Sequence, residues 1–283
     1  MKPYIGIAGV TTRQQAKAIT GQFYSNAVGA GGNGHYGLMG YCLTSEMING
    51  HDDRVDPRYI KLDDLNVLYF KQPFGRNAIH YSPHPEAPDD YFTSDLYSIF
   101  MGKGSEIYKS GAGRVLQINR AFNVSPDLLA NIKDAEEGML PALEIIFQVG
   151  PERITDMTPG ELVARLDPYS KNISAILLDS SFGTGRKMNV QSFAPYIKAL
   201  EKVFPDKILV FAGGLNPENA AAQVSALGQL TTRPFSIDVE SGVRNEGDEL
   251  DLYKTEAFIQ RAAEEFERLY HSPIVSVPHS TLG

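Results

Sequence analysis

Between residues 115 and 270 the sequence alternates short apolar runs with longer amphipathic segments, and this rhythm constrains the fold more than any other feature. The runs at 115–119, 142–149, 175–178, 208–211 and 235–239 are too short for helices and predict strands. That at 175–178 is apolar throughout and predicts a strand buried on both faces, as in a parallel sheet covered by helices. Helices are predicted between and after them, at 126–135 after Ser125, from Pro159, at 190–203, from Asn216-Pro217-Glu218, and at 253–270. Thr158 and Glu161 have capping-box spacing, and Pro126 and Pro159 sit at first helical positions, where their missing N–H costs nothing.

The first half repeats the pattern less regularly. An apolar run at 4–10 leads through Thr11-Thr12 into a helix at 13–23, and further strands are predicted at 38–43 and 77–82. Helices are expected from Arg58-Tyr59-Ile60 to about 69, and at 90–101. Residues 29–37, glycine-dense and holding Asn33 and His35, read as a mobile connection more readily than as a phosphate cradle. His80 and His84 stand four apart, but Pro83 and Pro85 exclude the helix that would aim both at one metal, so no metal site is expected. About eight strand–helix alternations with right-handed crossovers favour an α/β fold of the closed (β/α)8 barrel type. The expectation is one domain over 1–271 with insertions in the N-terminal half, then a loosely held tail over 272–283.

The chain has 283 residues, 42% of them hydrophobic, enough for a large core. A net charge of -8 excludes the basic face that nucleic acid requires, so a bound phosphate would rest on backbone N–H groups. The single cysteine, Cys42, rules out an internal disulfide and suits a reducing cytoplasm. There is no secretory h-region and no apolar stretch of spanning length, so neither export nor a membrane partner is expected. No cofactor is expected, and the oligomeric state is left open.

Three successive strands end in carboxylate or glycine: Asp179 followed by Gly183-Thr184-Gly185, then Gly213-Gly214, then Asp238 followed by Ser241-Gly242. In a barrel these ends share one face, and the last two loops lie where barrels commonly bind phosphate. An ionised carboxylate at the end of a buried strand is costly as packing alone.

These residues resemble the phosphoribosylanthranilate isomerase family, the barrel of tryptophan biosynthesis. Phe211-Ala212-Gly213-Gly214-Leu215-Asn216-Pro217-Glu218-Asn219 is similar to its "SGGLTPEN" segment, and Ile237-Asp238-Val239-Glu240-Ser241-Gly242-Val243 to its "VDVSSGVE". Leu177-Leu178-Asp179 with Gly183-Thr184-Gly185 resembles "LLD…GGTG", Gln117 matches the first residue of "QLHG", and Arg58-Tyr59-Ile60 matches the "RYI" that opens the family's second helix. The likeness is specific over 115–254 and fragmentary before it. It implies an Amadori rearrangement, the isomerisation of an aminoaldose 5-phosphate, a small phosphorylated sugar, into an aminoketose phosphate. Asp179 matches the family's general acid, and Arg58 and Cys42 join it as catalytic candidates. Gln117, Asn119, Gly183, Thr184, Gly185, Gly213, Gly214, Asp238, Ser241 and Gly242 are the candidates for binding the sugar and its phosphate.

The departures are chemical. The family's base is a cysteine in "KICG" at the end of the first strand, where this chain reads Gly6-Ile7-Ala8-Gly9. Asn119 replaces the family's histidine, Phe182 stands for the first lid glycine, and Met188-Asn189-Val190 replaces "FDW". Cys42, on the neighbouring strand, is a candidate substitute base or plain packing. Three readings stay open: an isomerase with a relocated base, a phosphosugar lyase or hydrolase using Asp179 and Asp238, and a non-catalytic barrel that binds a phosphorylated metabolite.

Overall fold

A computed structural model describes residues 1–29, 34–51, 56–68, 75–86, 88–134, 138–180 and 189–271. Eight strands form it: β1 (Tyr4–Ala8), β2 (Tyr36–Thr44), β3 (Gly75–Ser82), β4 (Val115–Ile118), β5 (Glu144–Val149), β6 (Ala175–Asp179), β7 (Ile208–Ala212) and β8 (Ser236–Val239). Each pairs in parallel with the next, and β8 returns to β1, closing an α/β barrel of the (β/α)8 type. The tail at 272–283 and the glycine stretch Gly183-Thr184-Gly185 lie outside the described residues. None of the described helices is long and apolar enough to cross a membrane.

Strand alternation divides the core in two. Ile5, Met39, Ile79, Leu116, Phe147, Ile176, Phe211 and Ile237 face outward against the helices, joined there by residues such as Phe23, Ile197 and Phe266. Tyr4, Leu38, Ala78, Val115, Ile146, Ala175, Leu177 and Val210 fill the barrel interior. Two residues further along the same inward rows the side chains become small or polar, at Gly6, Gly40, His80, Gln117, Gln148, Asp179, Ala212 and Asp238. An apolar plug thus floors a polar cup at the C-terminal ends of the strands.

The helix caps follow the expected chemistry. Thr12 and Gln15 form a capping box on Arg13–Ser25, as do Thr158 and Glu161 on Pro159–Leu166. Other expectations need correction. Arg58 does not open a helix: Tyr59 bridges to Cys42 on β2, and among the described residues helical backbone starts only at Leu62–Asp64 and continues in Leu65–Leu68. The Ile60 N–H donates to the Cys42 carbonyl at 3.1 Å, which holds this stretch extended beside the sheet. The helix placed at 90–101 begins at Pro88–Leu96 and passes into a π-helical segment, Tyr97–Lys103. Of the connection expected at 29–37, residues 30–33, Asn33 among them, lie outside the described residues, and His35 is held in the core. It is buried, bonded through Nε2 to the Phe235 carbonyl at 2.8 Å and stacked on Phe266.

The segment Asn216-Pro217-Glu218 precedes its helix, Ala220–Gly228, as a turn. Asn216 and Asn219 tie it: each accepts, through its side-chain oxygen, a bond of 2.9 Å from the other's backbone N–H. The Asn219 amide also donates to the Gly214 carbonyl at 2.8 Å, so this turn fixes the loop that follows β7.

Candidate functional site

The polar cup opens as a cavity of about 300 Å³, within the range of small-molecule sites. Ala8, Arg58, His80, Gln117, Asn119, Gln148, Asp179, Gly213, Gly214, Asp238, Ser241 and Gly242 all border it. Every described candidate from the sequence is therefore here except Cys42.

Asp179, at the end of β6, is buried and accepts a hydrogen bond on Oδ2 from Gln148 Nε2 at 2.9 Å. Gly213 stands against it with φ +96, and a Cβ there would come within 2.7 Å of Asp179 Oδ1. Backbone conformation and space both demand glycine at that position. Gly242 is demanded by space alone, since a Cβ on it would overlap the Leu215 carbonyl. The loops after β7 and β8 therefore meet backbone to backbone at one rim of the cavity.

Arg58 clamps the same rim. Its Nη2 reaches Asp248 at 2.7 Å, and its Nη1 reaches Glu240 at 3.2 Å and Ser241 Oγ at 3.3 Å. These partners hold its guanidinium firmly charged, the Asp248 hydrogen bond foremost. On the β4 side, Gln117 Nε2 donates to Asn119 Oδ1 at 3.2 Å, and Asn119 Nδ2 donates to Ser82 Oγ at 3.2 Å. Arg120 follows with left-handed backbone, φ 51, and its exposed guanidinium makes no ion pair among the described residues. It borders both this cavity and an adjoining one shared with Thr44, Glu46 and His51.

Asp238 and His80 are buried ionisable groups that line the cavity with Asp179. His80 Nε2 lies 3.9 Å from Asp238 Oδ2, beyond hydrogen-bond reach, so each feels its burial more than its partner. Burial lowers the His80 pKa to about 4. Burial first, then the charges of Glu240 and Asp179, push the Asp238 carboxyl up to about 8. At neutral pH the histidine is neutral and the aspartate protonated. His80 Nε2, both Asp238 oxygens, Gln117 Oε1 and Gln148 Oε1 are buried with no hydrogen-bond partner among the described residues. Leaving such atoms unsatisfied costs about 1–3 kcal/mol each, so their convergence on one cavity marks a place built for a polar ligand.

Cys42 is corrected by its surroundings. It is buried outside the cavity lining, and burial, with the charge of Glu240, raises its thiol well above the ordinary value. A thiol held protonated does not accept a proton at neutral pH. Sequence reasoning missed His80 and Gln148 as site residues. Both stand on the inward row of their strands, in step with Asp179 and Asp238, and that period-2 placement was the available signal.

Residues 142–261 match the family model described as N-(5'phosphoribosyl)anthranilate (PRA) isomerase. Over that segment the chain is similar to the phosphoribosylanthranilate isomerases. It is 31% identical over 133 residues to N-(5'-phosphoribosyl)anthranilate isomerase of Methanoregula boonei, covering 43% of this chain and 63% of that one. The enzyme of the same name from Aquifex aeolicus is 33% identical over 96 residues, 32% of this chain and 42% of its own length. The matched segments thus span less than two thirds of either relative. A crystal structure of phosphoribosylanthranilate isomerase in complex with reduced 1-(o-carboxyphenylamino)-1-deoxyribulose 5-phosphate superposes with a TM-score of 0.57 at 18% identity, covering 93% of this chain and 99% of that one. At that identity the superposition speaks for the shared barrel. The matched residues, 142–261, contain Gln148, Asp179, Gly213-Gly214, Asp238 and Ser241-Gly242; Arg58, His80 and Gln117 lie before them.

Proposed function

We propose that the protein is an isomerase of the phosphoribosylanthranilate isomerase type, converting an N-linked ribose 5-phosphate, an aminoaldose phosphate, into the aminoketose phosphate. The observation that carries this reading is the cavity itself: a buried carboxyl group, Asp179, and residues whose buried polar atoms have no partner among the described residues line it together with the glycine loops that follow β7 and β8. In this reading residues 1–271 work as one domain, and the ligand is a small phosphorylated sugar rather than a macromolecule.

Asp179 is the general acid. It protonates the ring oxygen, the bond from that oxygen to the anomeric carbon breaks, and the nitrogen lone pair closes a C=N bond. Gln148 orients the carboxyl through its hydrogen bond to Oδ2. The phosphate end lies at the rim made by Gly213, Gly214, Ser241 and Gly242, where backbone can approach an anion closely and Arg58 holds the Ser241 hydroxyl through its hydrogen bond. Gln117 and the protonated Asp238 face the sugar hydroxyls from the floor. Asn119 and Arg120 stand where the group on nitrogen leaves the cup, and the adjoining cavity past Arg120 gives that group room.

The experiment is direct turnover. Purified protein mixed with phosphoribosylanthranilate should consume it, followed by loss of the anthranilate fluorescence, and the product should carry a ketone. No turnover with intact binding of an aminoketose phosphate analogue would point to a binding role. Release of free amine would point to the hydrolytic alternative with Asp179 and Asp238.

A further inference from the structure

We propose that His80 is the base of this isomerisation, taking the proton from the carbon next to the anomeric carbon; this rests on the isomerase reading above. Ala8 has no proton-accepting group, and Cys42 is held outside the cavity as a thiol. The sequence supplies a replacement by subtracting side chains from its neighbours.

His80 projects from β3 and Asp238 from β8, and β1 and β2 stand between those two strands in the closed barrel. The inward positions of β1 and β2 beside them are Gly6, Ala8, Gly40 and Cys42, with Gly40 paired to Ala8 and Cys42 to His80 in register. A Cβ on Gly6 would lie 2.7 Å from Asp238 Oδ1, and one on Gly40 would overlap His80 Nε2. The two missing side chains let the imidazole and the carboxyl lean inward over β1 and β2 until they approach to 3.9 Å. The imidazole lines the cavity together with Ala8, and its Nε2, packed over Gly40, is buried without a hydrogen-bond partner among the described residues. A histidine serving packing alone would be expected to satisfy that nitrogen, as His35 does on the Phe235 carbonyl.

The chemistry balances on these groups. After Asp179 has given its proton to the ring oxygen, the substrate is the open iminium. His80 Nε2 takes the proton of the adjacent carbon, the C–H electron pair becomes a C=C bond, and the C=N pair returns to nitrogen. The enol hydroxyl then gives its proton to the Asp179 carboxylate, and the imidazolium gives its own to the former anomeric carbon. A ketone remains, and both side chains are restored. Asp238 supplies a carboxyl beside the imidazolium while it is charged.

The test compares the parent with His80→Asn in phosphoribosylanthranilate turnover, alongside affinity for the reduced aminoketose phosphate. The expected result is a fall of about 10²-fold or more in kcat with affinity unchanged. Added imidazole should restore part of the rate of His80→Gly, which a purely structural histidine would not allow. Gly40→Ala is the second variant, should either histidine variant fail to fold. Its methyl displaces the ring while the histidine remains, and it should lower kcat more than it changes affinity. An active parent with His80→Asn turning over at the parent's rate would overturn the assignment and leave the isomerase reading standing. A parent that binds the analogue and turns over no phosphoribosylanthranilate would overturn the isomerase reading itself, and the assignment with it.

Discussion

Asp238→Asn keeps the shape of a buried side chain and removes its charge, and the structure fixes how that changes stability with pH. Asp238 is 5% exposed and close to Glu240 and Asp179, so its carboxyl is pushed up to about 8 in the folded protein. In the unfolded chain it titrates as an ordinary carboxylate, near pH ~4. Between those values the unfolded chain has released a proton that the folded chain retains, so stability falls as pH rises through this window and levels off above it. At about 1.4 kcal/mol per pH unit separating the two values, the loss is at most about 6 kcal/mol. That is a large share of the roughly 5–15 kcal/mol that holds an ordinary domain together. Asparagine cannot ionise, so the variant should match or fall slightly below the parent near pH ~4 and become progressively the more stable of the two toward pH ~8. Urea unfolding of both proteins across this range measures the difference directly, with the other titrating groups largely cancelling. A difference that stays flat with pH would refute the argument, because it would mean that the carboxyl is already ionised in the fold.

Asp179→Asn should keep the fold and the affinity for the reduced aminoketose phosphate while losing about 10²- to 10⁴-fold in turnover; normal turnover would place the acid elsewhere. Gly242→Ala should push the β8 loop off the Leu215 carbonyl, weakening the affinity for inorganic phosphate and for the analogue while far-ultraviolet circular dichroism stays native. Cys42→Ala should leave kcat unchanged, because the thiol lies outside the cavity and is held protonated; a large fall in kcat at unchanged affinity would return it to the site.

The barrel was legible because strands covered on both faces are largely apolar, and from β4 onward several of the helices between them are proline-started or capped, at Pro126–Lys133, Pro151–Asp156 and Pro159–Leu166. Asp179 and Asp238 were legible because a carboxylate closing such a strand has no packing reason to be there. Arg58 was found by its motif and misplaced by it: a helix was expected where Ile60 hydrogen-bonds to the backbone of β2 and the Arg58 side chain is drawn to Asp248 and Glu240. His80 was considered only as a metal ligand. Its place in the site depends on what is absent from β1 and β2, at Gly6 and Gly40, and a missing side chain two strands away has no local signature. Gln148 was hidden inside an apolar run, although the inward row that holds Asp179 also holds it once the register of β5 and β6 is known.

The most direct measurement is a crystal structure of the protein with reduced 1-(o-carboxyphenylamino)-1-deoxyribulose 5-phosphate. The phosphate should contact the backbone of Gly213, Gly214 and Gly242 and the Ser241 hydroxyl, with the sugar chain between Asp179 and His80 and the carboxyphenyl group directed past Asn119 toward Arg120. A ligand bound at the N-terminal end of the strands, near Arg76 and Glu144, or an empty C-terminal cup at saturating ligand, would contradict the account.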